Sequence, residues 1–128
     1  PEHLKMQLGG GQLARLIDLP WRTASGSAAN TPDMQAGLET VMGLWGGSLA
    51  HGTLLVHAAG WLEGGLTFGY EKFINDIEGL QIFAELCQRP SADAAEIGFD
   101  ALKDVQPGGH FFATEHTMER YETPLLPT

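Results

Sequence analysis

Residues 57–70, HAAGWLEGGLTFGY, concentrate side chains that could bind a ligand. The segment contains four glycines and five chemically useful side chains, namely His57, Trp61, Glu63, Phe68 and Tyr70. Aromatic faces beside a carboxylate favour a quaternary or protonated amine, because each cation–π contact contributes about 0.5–2 kcal/mol. The alternative is structural, with the rings in the core and the glycines forming turns. Spacing alone leaves both interpretations open.

The other candidate motifs give weaker indications of a metal, nucleotide or catalytic site. His51 and His57 lie six residues apart, as do His110 and His116, and neither spacing matches a metal-binding motif. We therefore predict no metal site. The run GGGQLAR lacks the Lys-Ser/Thr of a phosphate loop and follows no strand, which disfavours nucleotide binding. Cys87 lies on an apolar helical stripe and is expected to be a small core residue.

Composition restricts the class of protein. The chain has 128 residues, the size of one modest domain, and its 7 Lys and Arg against 16 Asp and Glu leave a net charge of −9. Such an acidic chain is a poor partner for nucleic acid or anionic membranes, and no apolar stretch approaches the roughly 20 residues of a membrane span. A single cysteine favours a reducing compartment, so we predict a cytoplasmic protein.

Apolar periodicity predicts alternating helices and strands. The first helix is expected over 2–17, and the second runs from an N-cap at Thr31, with Pro32 in the first turn, to Trp45. A third helix is expected over 70–87 and a fourth after a cap at Ser91. The last helix is expected to span about two turns near the C-terminus. Strands are expected in LPWRTAS and TLLVHAA. In the second helix the stripe predicted to be buried holds Met34, Leu38, Val41, Met42 and Trp45. In the third it holds Phe73, Ile77, Leu80, Ala84 and Cys87, with Asp76 facing water.

This order predicts an α/β fold. About 30 residues separate the two strands and include a helix, which is typical of parallel βα units. Two parallel strands are not stable alone, so we expect further strands outside this sequence and a partial domain over 1–128. A (β/α)8 TIM-type barrel or a doubly wound sheet fits best. In either fold the ligand site lies beyond the carboxyl ends of the strands, where SGSAANTPD and the segment 57–70 both fall.

Three motifs resemble a known family. AAGWLEGGLTFGYEKFINDIE, PGGHFFATEHTMERYETP and PWRTASGSAANTPDMQAGLET are similar to the trimethylamine methyltransferase family, in its branch that lacks pyrrolysine and includes glycine betaine methyltransferases. The resemblance covers essentially the whole chain and matches part of the C-terminal half of a longer (β/α)8 barrel. It implies transfer of a methyl group from a methylated amine to the cobalt of a separate corrinoid protein.

The resemblance also implies the substrate and its partners. Pyrrolysine in other members would fall within VHAAGWLE, near Ala59, whereas every residue here is standard. A quaternary amine such as a betaine is therefore favoured over trimethylamine. The expected partners are the small amine and the corrinoid protein, with a homo-oligomer left open. The chain itself is expected to bind no cofactor, because the methylcobamide is carried by the corrinoid protein.

The predicted site residues follow from this resemblance. His57 and Glu63 are assigned to catalysis, His57 orienting the substrate and Glu63 supplying negative charge or holding the loop. Substrate binding is assigned to Trp61, Phe68, Tyr70, His110, His116 and Arg22, with His57, His110 or Arg22 available to a betaine carboxylate. The structural alternative for each is a turn contact or a helix cap. The alternative function is a sensor or scavenger that binds a methylated amine without transferring its methyl group.

Overall fold

Two short strands run side by side in the computed structural model, which describes residues 1–121. Strand β1 (Arg22–Ala24) pairs in parallel with β2 (Leu54–Val56), and helix α2 (Met34–Leu49) connects them. The parallel pairing across an intervening helix is confirmed, and with it an α/β arrangement. Both strands are shorter than predicted. The eight-stranded barrel stays a prediction, since the described residues contain one two-stranded parallel sheet.

Helix α1 (Glu2–Leu16) packs against α2 through small and polar groups. The backbone of Ala50 comes so close to Gly11 that a Cβ there would lie 2.1 Å from the Ala50 carbonyl oxygen. Beside this contact the buried amide of Gln7 donates to Thr23 Oγ1 at 3.0 Å and to the Gly43 carbonyl at 3.1 Å. Hydrogen bonds thus fix α1 to both β1 and α2.

The predicted buried stripe of α2 is wrong. Met34 is 79% exposed and Leu38 is 53% exposed. The buried residues of this helix are instead mostly small, namely Ala36, Thr40, Gly43, Leu44, Gly46 and Gly47. Close approach of α1 and the strands requires small side chains, so the helix turns that face inward and leaves much of its apolar stripe outside.

Helix α2 begins two residues later than Pro32, so the predicted N-cap is also wrong. Asp33 caps the helix, because its Oδ1 accepts the backbone N–H of Ala36 at 3.1 Å. Thr31 supports the cap by donating its hydroxyl to Asp33 Oδ2 at 3.0 Å. These hydrogen bonds lower the pKa of Asp33, and the bond from the Ala36 N–H makes the largest contribution.

Helix α3 (Tyr70–Leu86) ends one residue before the predicted boundary, but its buried face differs from the predicted one. Its buried residues are Lys72 and Asp76, whereas Phe73 is exposed. The placement of Asp76 in water and of Cys87 in the core is therefore wrong, since Cys87 is exposed. The ion pair of Lys72 with Asp76 makes burial of both charges tolerable.

Periodicity gave no sign of a small hairpin between β2 and α3. Strands β3 (Trp61–Leu62) and β4 (Thr67–Phe68) pair antiparallel around a 3₁₀ turn over Glu63–Gly65. These strands have two residues each, too few for an alternating pattern to be recognised. Leu62 is buried against Ala29 and Ala36, which attaches the hairpin to the core.

The chain divides into two compact units, Pro1–Gln88 and a second that begins at Arg89. The second contains α4 (Ala94–Ile97), α5 (Phe99–Asp104) and α6 (Glu115–Arg120). Asp93 caps α4, so the prediction of Ser91 as cap is wrong, while the two-turn helix near the C-terminus is confirmed. The prolines near the end of the sequence predict a final stretch of coil, which lies outside the described residues. Within residues 1–121 no helix has the length and apolar character needed to cross a membrane.

Candidate functional site

The loops that follow β1 and β2 meet at the carboxyl edge of the parallel sheet. Ser25 N–H extends the strand pairing by donating to the Val56 carbonyl at 3.1 Å. Beyond it, Glu63 N–H donates to the Ala29 carbonyl at 3.0 Å and Gly64 N–H to the Ser27 carbonyl at 3.1 Å. These bonds bring the two segments together where ligands bind in parallel α/β sheets.

Trp61 lies at this junction and is half-buried. Its indole stacks on the imidazole of His57, with ring centroids 3.7 Å apart and planes inclined by 30°. Gly26, in the loop after β1, leaves room for the indole, because a Cβ there would lie 2.3 Å from Trp61 Cδ1. The structure therefore brings two of the predicted site residues, His57 and Trp61, into direct contact.

A cleft of about 490 Å³ opens beside Trp61. Its lining includes His3, Gly26, Ser27, Glu39, Met42 and Trp61. One aromatic ring and one half-buried carboxylate thus line the same cavity, which is large enough for a small organic ligand.

Glu39 is the half-buried carboxylate in this cleft, which the exposed Glu2 also borders, and it was not among the predicted site residues. Its Oε2 accepts the Ser27 hydroxyl at 2.7 Å and the Ala28 N–H at 2.8 Å, and its Oε1 accepts the Gln35 amide at 2.9 Å. Burial raises the pKa of Glu39, but the hydrogen bonds from Ser27, Gln35 and Ala28 lower it by more, so the net change is downward. Glu39 is therefore ionised at neutral pH and presents negative charge to the cleft.

A sequence signal for Glu39 existed. It lies in the second turn of the helix that follows a Gly/Ser-rich loop at the carboxyl end of a strand, four residues after a glutamine. A carboxylate there is within reach of the loop backbone. However, we interpreted this helix through its apolar stripe and did not consider its carboxylate as a site residue.

Phe68 and Tyr70 form a second aromatic cluster. Their rings meet edge to face at 5.5 Å, and Phe68 lies 5.7 Å from the ring of Phe73. Tyr70 is 78% exposed, and Phe68 is also exposed. The predicted aromatic enclosure is thus distributed over two clusters, Trp61 with His57 and Phe68 with Tyr70.

Glu63 lies at the hairpin turn next to Gly64, which borders the cleft. Its side chain is exposed, and Oε2 accepts the Thr67 hydroxyl at 2.6 Å. Its φ of 51° places a non-glycine residue in the left-handed region, which costs of order 1 kcal/mol or more. The backbone bond from Glu63 to Ala29 holds that conformation.

The remaining predicted residues lie elsewhere. Arg22 is exposed at the amino end of β1, the end of the strand opposite to the cleft. His110 and His116 belong to the second unit. The His116 ring packs against Gly98, where a Cβ would lie 3.1 Å from His116 Cε1, and it borders a cleft of about 340 Å³. Across residues 1–121 no three His, Cys, Asp or Glu side chains are arranged to hold a metal ion.

Comparisons with known proteins agree on one family. The trimethylamine methyltransferase (MTTB) family model matches residues 1–125. The glycine betaine methyltransferase of Desulfitobacterium hafniense (strain Y51) is 33% identical over 98% of this chain and 27% of its own length. The proline betaine:corrinoid methyltransferase of Eubacterium limosum is 32% identical over 98% of this chain and 27% of its own length.

A third relative has a different named substrate. The trimethylamine methyltransferase MttB of Desulfitobacterium hafniense (strain DSM 10664 / DCB-2) is 30% identical over 96% of this chain and 25% of its own length. The chain thus spans about a quarter of the length of the curated relatives it matches.

Proposed function

The chain belongs to the trimethylamine methyltransferase family, and we propose that it forms part of the amine site of a methylated-amine:corrinoid protein methyltransferase. The proposed substrate is a quaternary amine such as a betaine, and the proposed methyl acceptor is a partner corrinoid protein. Relatives named for glycine betaine and proline betaine support this choice at about one-third identity.

One observation carries the proposal. The cleft at the carboxyl edge of the sheet is lined by the Trp61 indole and by the ionised Glu39 carboxylate. An aromatic ring attracts a cation through its quadrupole, and a nearby carboxylate adds Coulomb attraction. A methylated ammonium group matches both features, and its methyl groups also suit the apolar wall that Met42 provides.

A quaternary amine needs little chemical activation. When its methyl group leaves, the electron pair of the broken C–N bond goes to nitrogen, and the product is a neutral tertiary amine. The corrinoid of the partner protein supplies the nucleophile that accepts the methyl group. The residues of this chain would then have to orient the cation and exclude water.

Each residue has a defined part in this proposal. Trp61 forms one wall, and His57 holds the indole plane by stacking on it. Glu39 supplies the negative charge, while Glu63 is the competing candidate for that role. Phe68 and Tyr70 remain proposed outer walls, and His57 remains the candidate to bind a betaine carboxylate, whereas Arg22 lies at the end of β1 opposite to the cleft.

Replacing Trp61 tests the aromatic wall. In the full-length protein with reduced corrinoid protein, demethylation of a panel of betaines is followed by NMR. Trp61→Leu is expected to raise the KM for the preferred quaternary amine by roughly 5- to 30-fold, and Trp61→Phe much less, because only leucine removes the aromatic face. Equal effects of the two variants would contradict a cation–π role. Binding without demethylation by the unmodified protein would instead support the sensor or scavenger.

Two matched carboxamide variants identify the charged partner. Glu39→Gln is expected to raise KM several-fold because it removes the charge that faces the cleft. Glu63→Gln should leave KM within about twofold, since its carboxylate is exposed and bonds to Thr67. The reverse outcome would assign the charge to Glu63. If neither variant altered KM, the amine site would lie outside this cleft.

A further inference from the structure

Lys72 and Asp76 form an ion pair in the interior of the first unit. Their side chains are 2% and 5% exposed, and Lys72 Nζ contacts Asp76 Oδ1 directly. Both lie on α3, four residues apart, with Lys72 in its first turn and Asp76 in its second. Neither residue borders the cleft that contains Trp61 and Glu39.

Each member of the pair has a second partner on another element. Lys72 Nζ donates to Thr40 Oγ1 of α2 at 2.7 Å. Asp76 Oδ2 accepts the backbone N–H of Gly60 at 2.9 Å. Since Gly60 immediately precedes Trp61, the carboxylate holds the backbone at the base of the residue that forms the cleft wall.

Stability alone is a weak explanation for this arrangement. Two buried charges lose much of their hydration, and replacing such a pair with apolar residues of similar size is often neutral or stabilising. By contrast, a carboxylate shared between an ammonium and a backbone N–H fixes the relative position of three segments. Those segments are α2, α3 and the start of the hairpin.

We infer that Asp76 is a positioning residue that sets the orientation of Trp61 through its hydrogen bond with the Gly60 N–H. Lys72, which is itself hydrogen-bonded to Thr40, keeps the Asp76 carboxylate in place. The expected effect on amine binding rests on the proposed function. The expected effect on Trp61 itself does not.

Two double variants of the full-length protein separate the effect of the hydrogen-bond acceptor at position 76 from the effect of the buried charges. Lys72→Met/Asp76→Asn removes both charges but keeps a side-chain oxygen that can accept from Gly60. Lys72→Met/Asp76→Leu removes the charges and the acceptor. Both avoid leaving one buried charge without its partner, which would be strongly destabilising, and both are first tested for cooperative melting.

The first readout is the environment of Trp61. The proteins are labelled with 5-fluorotryptophan, and the ¹⁹F resonance of Trp61 is assigned by its loss in Trp61→Phe. We expect this resonance to shift by more than its linewidth in the leucine variant and to stay in place in the asparagine variant. The second readout is KM for the quaternary amine, expected to rise about fivefold in the leucine variant with little change in kcat, and to stay within about twofold in the asparagine variant.

The outcomes distinguish the two proposals. A Trp61 resonance that is unchanged in both double variants, or shifted equally in both, overturns the positioning role of the Asp76 oxygen. If the resonance shifts as expected but the unmodified protein turns over no methylated amine, the positioning role holds and the proposed function fails. If the resonance shifts while KM stays constant in an active enzyme, Trp61 does not form the amine wall.

Discussion

At the scale of single residues, the position of Trp61 depends on neighbours from three parts of the chain. His57 covers one face of the indole, Gly26 leaves room for the ring, and the N–H of Gly60 is held by Asp76. Since these contacts restrain the ring on the sides that face the protein, a small steric change nearby should be transmitted to it.

Gly26→Ala tests how tightly the ring is held. The new Cβ would lie 2.3 Å from Trp61 Cδ1, so the indole must move. Overpacking of this kind costs about 1–3 kcal/mol, and we expect a lower melting temperature together with a raised KM for the amine. Gly37→Ala is the matched control, because a Cβ at that exposed position in α2 meets no atom within 4 Å. Wild-type melting and KM for Gly26→Ala would show that Trp61 is free to move.

At the scale of elements, helix packing here depends on small groups at close contacts. The three consecutive glycines of α1 illustrate this, since they weaken the helix locally yet one of them allows contact with the backbone of Ala50. Gly9 and Gly11 lie two residues apart and have different surroundings, so alanine at the two positions is expected to have opposite effects.

Gly9→Ala and Gly11→Ala should change stability in opposite directions. No atom lies within 4 Å of a Cβ at Gly9, so alanine there should stabilise the helix by roughly 0.5–1 kcal/mol through its higher propensity. A Cβ at Gly11 would meet the Ala50 carbonyl oxygen at 2.1 Å, and we expect destabilisation by about 1–3 kcal/mol or more. Thermal melting of the full-length variants checks both values. Equal stabilisation by the two would contradict close packing of α1 against the end of α2.

The cap of α2 should make stability depend on pH. The pKa of Asp33 in the folded protein is lowered from its ordinary value of 3.8, chiefly by the hydrogen bond from Ala36. The extra stability is therefore present above the unfolded value and is lost as the pH falls through the folded value. Asp33→Asn keeps a cap oxygen but not the charge, so its melting temperature should be below wild type at pH 7.

The difference in melting temperature between wild type and Asp33→Asn should shrink as the pH falls below about 4. Asp33→Ala should melt lower than Asp33→Asn at pH 7, because it also loses the acceptor for the Ala36 N–H. Thr31→Ala serves as a milder control, since the Thr31 hydroxyl supports the cap indirectly, by donating to the carboxylate of Asp33. A pH-independent difference between wild type and Asp33→Asn would show that the charge of Asp33 does not stabilise the helix.

At the scale of the whole molecule, apolar side chains remain on the surface despite the high negative charge. Leu16, Met34 and Leu66 are 79%, 79% and 88% exposed. In the described part of the chain, β1 and β2 also each have one strand neighbour, so each presents an edge. Apolar surface and open strand edges both promote association.

The 128-residue chain produced by itself should therefore self-associate. We expect a weight-average mass that exceeds the 13.8 kDa of the monomer and rises with protein concentration in sedimentation experiments. Lys or Glu in place of Leu16 and Met34 should reduce the association, whereas Gln35→Glu on the already polar surface is a control for added charge. A monodisperse monomer with a cooperative melting transition would contradict this expectation.

The sequence by itself determined the types and order of the main elements and the parallel pairing of the strands, and it directed attention to the sheet edge where the candidate cleft lies. These features depend on local periodicity and on connection length, which can be read along the chain. The contacts of the site depend on how elements approach one another. Tertiary structure decided that small residues line the inner face of α2, because only they allow α1 and the strands to come close. It also placed Glu39 beside Trp61 and buried Lys72 with Asp76, because each of these polar groups is stabilised by partners that only the folded chain brings near.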